Sequence, residues 1–101
     1  MAYALVTVPV SRQHLKKLPR PVRAHLVAAL NVLKDHPYTG EQLNPPWRAF
    51  RSFHTKYHTV AYRVIYEVDE GHKAIIIRAA GTRENFYKEL RQLRLKPLAS
   101  S

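Results

Sequence analysis

Cysteine is absent from this sequence. Stability therefore rests on packing without crosslinks, and neither a thiol nucleophile nor a thiolate metal site exists. Acidic residues are scarce: 7 Asp and Glu stand against 17 Lys and Arg, for a net charge of +10 and a pI near 10.3. That excess is larger than solubility requires of a small domain and favours polyanions: nucleic acid, the ribosome, an anionic membrane or an acidic protein. No apolar run approaches the ~20 residues of a membrane-spanning helix. Residues 1–8 lack a basic leader and are too few for a signal peptide, so a cytoplasmic protein is expected. The histidines number 6 but are scattered. His54 and His58 have no carboxylate or third ligand at suitable spacing, so no metal site and no cofactor are expected.

What is present suits a folded globule. Hydrophobic residues make up 46% and charged residues 24% of 101 positions, a composition that excludes wholesale disorder. The length fits one domain, residues 1–101, with 95–101 as a tail. Residues 2–10 are apolar and β-branched up to Pro9 and read as an edge strand. Ser11 offers an N-cap for a short helix over 12–18. Pro21 suits the first turn of a second helix, and Val22, Leu26, Ala29, Leu30 and Leu33 recur at helical spacing up to about Asp35. Three strands follow, over 47–57, 61–68 and 73–80. The last two are joined by a turn with Gly71 at its tight position. Phe86, Leu90 and Leu93 mark a final helix over 83–93. The order β-α-α-β-β-β-α is an α+β arrangement: a small antiparallel sheet with a helical hairpin on one face and the other face open and basic.

Two arginines stand where a core strand does not want them. Period two puts Tyr62, Val64, Tyr66 and Val68 on one face of their strand, and Arg63, Ile65 and Glu67 on the other. Antiparallel pairing then returns the end of the next strand, with Gly81 and Arg83, to the neighbourhood of Arg63. Two guanidiniums held together suit a phosphate between them.

The run Leu18-Pro19, Val22-Arg23 leading into a Leu/Ala helix, the strand Tyr62-Arg63-Val64-Ile65-Tyr66, and Gly81-x-Arg83-x-x-x-Tyr87 resemble the RelE/ParE superfamily of bacterial toxins. The resemblance spans nearly the whole chain. In that superfamily the RelE branch cuts mRNA on the ribosome, and the ParE branch poisons DNA gyrase without nuclease chemistry. The RelE branch implies metal-free attack of the RNA 2′-hydroxyl on the adjacent phosphate. By position, Arg63 would stabilise the phosphorane, Arg83 would bind phosphate or help the leaving oxygen, and Tyr87 would stack on a base or take the proton. Lys56 and His54 match a pair of lysines, with His54 the departure. Arg48, Arg51, His58, Arg78 and Lys88 are the further candidates for gripping RNA. The implied partners are an acidic antitoxin, through which the toxin oligomerises, and mRNA on the ribosome.

Each residue has a plainer alternative. Arg63 can pair with Glu67 along its own strand, Arg83 can be an exposed first-turn residue, and Tyr87 can belong to the core. Lys56, His54 and His58 can be solvated surface groups, and Trp47, Phe50 and Phe53 can pack in the interior rather than stack on bases.

Overall fold

The computed structural model describes residues 2–85, 88, 90–91 and 97–98. In chain order the elements are β1 (Ala4–Thr7), α1 (Pro9–Lys17), α2 (Arg20–Leu30), α3 (Val32–Asp35), β2 (Glu41–Gln42), β3 (Arg51–Tyr57), β4 (Val60–Asp69), β5 (Ala74–Thr82) and a 3₁₀ turn (Arg83–Asn85). They form one five-stranded sheet of order β1-β5-β4-β3-β2. The expected α+β class holds, with one refinement. β2 to β5 are antiparallel neighbours, whereas β1 lies parallel to β5, Ala4 opposite Ala74 and Thr7 opposite Ile77.

Several local expectations shift. Pro9 opens α1 instead of closing the first strand, because its fixed φ and missing N–H suit the first helical turn. Ser11 is not the N-cap but the third helical residue. Its hydroxyl accepts from the Val8 N–H and donates to the Val8 carbonyl, each at 3.0 Å. The second helix breaks at Asn31, between α2 and α3. The 47–50 segment is a turn, with the Phe50 N–H bonded to the Trp47 carbonyl at 3.0 Å, so β3 starts later than the aromatic run suggests. In the β4–β5 turn the left-handed residue is Lys73, at φ 50°, and not Gly71.

Each sheet face carries its own core. Val22, Leu26, Leu30 and Leu33 of the helices pack on Tyr62, Val64, Tyr66, Ile75, Ile77 and Ala80. α1 is further tied to β5 by the Ala80 N–H donating to His14 Nδ1 at 3.2 Å. The opposite face is not fully open. Phe50, Ile65, Ala79 and Leu90 form a second cluster there, flanked by Leu43 and Trp47. Phe50 and Phe53 pack on opposite faces of the sheet, and both belong to the interior together with Trp47.

A β-bulge lies where Ile65 pairs with Ala79 but Tyr66 pairs with Ile77, leaving Arg78 over. The extra residue turns toward the second face. There Arg78 Nη1 donates to Glu67 Oε2 at 2.5 Å, with side chains only 10% and 1% exposed. The guanidinium also lies 5.5 Å from the Phe50 ring centroid. The Leu98 N–H closes the pair from above, donating to both Glu67 oxygens at 2.9 and 3.1 Å.

Tyr66 anchors the loop before β2. Its hydroxyl donates to the Pro37 carbonyl at 2.8 Å and accepts from the Gly40 N–H at 2.9 Å. Gly40 is required by this approach, since a Cβ would lie 2.7 Å from Tyr66 Oη and 2.8 Å from the Ser52 carbonyl oxygen. At the far end of the sheet Glu70 collects hydrogen bonds from Tyr3 and Tyr38 and an ion pair with Lys73 at 3.1 Å. These contacts, Tyr3 first, hold its carboxyl down at about 2.

Three substitutions test these contacts by their effect on stability. Tyr66→Phe strands the Gly40 N–H and the Pro37 carbonyl and should cost about 1–3 kcal/mol in urea unfolding, and Gly40→Ala should cost at least as much. Arg78→Ala removes the guanidinium from buried Glu67 and should destabilise by about 3–5 kcal/mol in the same measurement.

Candidate functional site

Polarity along β3 and β4 is sorted by the pleat. Phe53, Thr55 and Tyr57 turn toward the helices: Phe53 and Tyr57 join the helix-side core, and Thr55 Oγ1 lies 3.0 Å from His25 Nε2. His54 and Lys56 therefore turn to the other face, where Arg63 also stands. Register completes the arrangement. His54 is directly opposite Arg63, and Arg63 is directly opposite Gly81, which contributes no side chain. β5 then ends at Thr82 and hands Arg83 to the 3₁₀ turn.

A cleft of about 390 Å³ results, lined by His54, Thr55, Lys56, Ala61, Tyr62, Arg63 and Arg83. Arg83, exposed, is shared with a neighbouring depression of about 370 Å³ lined also by Thr82 and Glu84. Residues distant in sequence, on three successive segments, thus deliver two guanidiniums, one ammonium and one imidazole to a single concavity. Among the described residues lining it there is no carboxylate. Such a lining favours a group with several anionic oxygens.

The imidazole feels this environment. Partial burial pushes the His54 pKa below its ordinary value; Arg63 and, less strongly, Arg83 push the same way, against an opposing pull from Glu41. The shift favours the neutral imidazole, whose lone pair can accept a proton.

Of the other sequence candidates, Arg48 and Lys88 are exposed and lie outside the cleft. His58 occupies the β3–β4 turn at φ 55°, its ring edge-on to Tyr57 with centroids 4.4 Å apart. Arg51 is not a groove residue: it donates to the Gly40 carbonyl at 2.7 Å and sits 4.9 Å from the Tyr38 ring centroid. Arg78 is not one either, being buried against Glu67. Tyr87 lies outside the described residues, as do Phe86 and Leu93.

What sequence reading missed is this division among the arginines. The signal was present in composition: a strand glutamate on the open face needs a buried cation, and the bulge supplies Arg78. It also missed that the basic excess has a location. Residues 2–34 contain no Asp or Glu, whereas Arg12, Lys16, Lys17 and Arg20 are exposed along the helical hairpin.

A family model for the ParE-like toxin of type II bacterial toxin–antitoxin systems matches residues 5–91. Among solved structures, a mutant of E. coli toxin RelE in the free state matches with a TM-score of 0.73 and 21% identity, covering 94% of this chain and 100% of that one. A chain of the RelBE2 toxin–antitoxin complex from Mycobacterium tuberculosis matches with a TM-score of 0.73 and 25% identity, covering 82% and 100%. The archaeal RelE–RelB complex from Pyrococcus horikoshii OT3 gives 0.53 and 21%, covering 82% and 97%. No curated protein matches by sequence. With most of its length inside the family match and a sheet and helices laid out as in RelE, the chain belongs to the ParE-like toxin family of type II bacterial toxin–antitoxin systems.

Proposed function

We propose that this toxin is an endoribonuclease that cuts mRNA on the ribosome. The observation that carries the reading is the cleft in which His54, Lys56, Arg63 and Arg83 converge. An inhibitor acting only by binding gyrase has no need of a neutral imidazole set against two guanidiniums.

The chemistry follows from the lining. The 2′-hydroxyl of one nucleotide attacks the adjacent phosphorus, a cyclic 2′,3′-phosphate forms, and the bond to the 5′-oxygen breaks. His54, kept neutral, takes the 2′-proton. Arg63, held mid-strand between β3 and β5, faces the charge that builds on the phosphorane. Arg83, at the exposed mouth, binds phosphate or steadies the leaving oxygen. Lys56 adds a cation at the rim. Tyr87 stacks on a base or protonates the leaving oxygen. Arg48, His58 and Lys88 extend the contact to RNA, while Arg51 and Arg78 take no part. The exposed cations of α1 and α2 provide the salt-sensitive grip on ribosomal RNA.

The partner in this reading is an acidic antitoxin, as RelE is seen with RelB in the bacterial and archaeal complexes. The toxin oligomerises through it and works in the bacterial cytoplasm, without a membrane. The family description, ParE-like, favours a second reading, a gyrase inhibitor without nuclease activity.

Purified protein incubated with a defined message, with and without ribosomes, should produce mapped cuts that depend on ribosomes. Arg63→Ala and Arg83→Ala should each lower cleavage by about 10²-fold or more. Unchanged cutting overturns the site, and intact mRNA with arrested supercoiling establishes the gyrase reading instead. The cleavage rate should fall on the acid side with a midpoint below the ordinary histidine value of about 6.5, and His54→Gln should remove that limb along with about 10²–10⁴-fold of rate.

A further inference from the structure

A polar bond joins the helical layer to the strand that carries two of the cleft groups. Val22, Leu26 and Leu30 seat α2 on the sheet by apolar contact, which sets distance but not direction. His25 follows Val22 by three residues and shares its face of the helix. Its Nε2 lies 3.0 Å from Thr55 Oγ1. Its ring packs on Tyr57, tilted by 52° with centroids 5.1 Å apart. A threonine hydroxyl donates to or accepts from a ring nitrogen, so the contact holds in either tautomer.

The tie falls where β3 is least supported. β2 pairs with β3 only at Arg51 and Ser52, so from Phe53 to Tyr57 β4 is the strand's one ladder partner among the described residues. Thr55 lies between His54 and Lys56 and borders the cleft with them. It stands opposite Tyr62 of β4, and its side chain meets His25. His25 thus touches the residues on both sides of Lys56. It does so from the helix side, outside the cleft lining.

We infer that His25 is a positioning residue of the cleavage site: through Thr55 it fixes the rotation of the β3 segment that aims His54 and Lys56 at the phosphate. Its effect on rate rests on the function proposed above; the tie itself does not.

The pleat carries the effect across the sheet. His54 and Lys56 project to one face, so a rotation of β3 about its axis moves both together. Packing of Phe53 and Tyr57 against the helix-side core opposes loss of the strand but tolerates such a rotation. A directional bond at Thr55 does not. Proton transfer needs the imidazole within hydrogen-bond reach of the 2′-oxygen, so misplacement costs rate rather than binding. The groups around His54 report the same movement. Partial burial, then Arg63 and less strongly Arg83, lower its titration, against the pull of Glu41. Withdrawal into water, away from the two guanidiniums, returns it toward the ordinary value.

The test compares Thr55→Val and His25→Phe, which delete the bond and keep most of the volume, with Thr55→Ser and His25→Gln, which keep a bonding group. Each is read by kcat and KM on ribosome-bound message, by NMR titration of the His54 imidazole in the free protein, and by urea unfolding. Thr55→Val and His25→Phe should each lower kcat by about 10–10²-fold and change KM less than about twofold. The double variant should lose no more than about twofold beyond either single one, since both break one contact. Thr55→Ser and His25→Gln should recover most of the rate. In the two deleting variants the His54 midpoint should rise toward about 6.5. Equal loss in Thr55→Ser and Thr55→Val would show packing alone and overturns the inference. So does a multiplicative loss in the double variant, or a His54 midpoint unmoved in a folded Thr55→Val chain. Should His25→Phe unfold, the two Thr55 variants decide. If the wild-type chain cuts no RNA, the nuclease reading falls and the His54 midpoint alone judges the tie; wild-type cutting by all four variants sinks the tie alone.

Discussion

The two-residue connection His58–Thr59 fixes the register of β3 on β4, and the cleft depends on that register. With Tyr57 opposite Val60, His54 must fall opposite Arg63 and Lys56 opposite Ala61. A slip of one residue would send His54 and Lys56 to the helices and bring Phe53 and Tyr57 into water. The left-handed conformation of His58 is the local cost of so short a turn. The helix-side core defends the same register, because Tyr62, Val64 and Tyr66 are all claimed by α2 and its neighbours.

The cation distribution follows from how each arginine is held. Arg78 is placed by the bulge and neutralised by Glu67 within the interior. Arg51 is turned to carbonyls of the loop that Tyr66 anchors. Arg63 and Arg83 line the concavity together. Three modes of support thus separate four arginines that look alike in composition, and only the last mode leaves them facing a ligand-sized space.

Much of this was legible in the chain. The alternation of β4 told which side Arg63 takes, and antiparallel return told that Arg83 comes near it. The helical spacing of Val22, Leu26, Leu30 and Leu33 told which face is covered. What escaped was whatever depends on a partner far away in sequence. The parallel placement of β1 beside β5 carries no local mark. The bulge breaks period two at one residue, so Arg78 reads as one more surface cation until Glu67 is seen beneath Leu98. Pro9 follows a β-branched run and looks like the end of a strand, although a proline also suits a first helical turn. Trp47 and Phe50 have strand-forming side chains but are claimed by the second core.

Acidic groups Asp69 and Glu70 sit at one end of β4, and the cationic hollow sits toward the other, beside Val60 and Ala61. A ten-residue strand separates these ends by roughly 30 Å. The amino-terminal third is devoid of carboxylates, so the positive excess is unevenly placed along the chain. An uneven charge of this kind gives any approaching polyanion a preferred side of the molecule to meet.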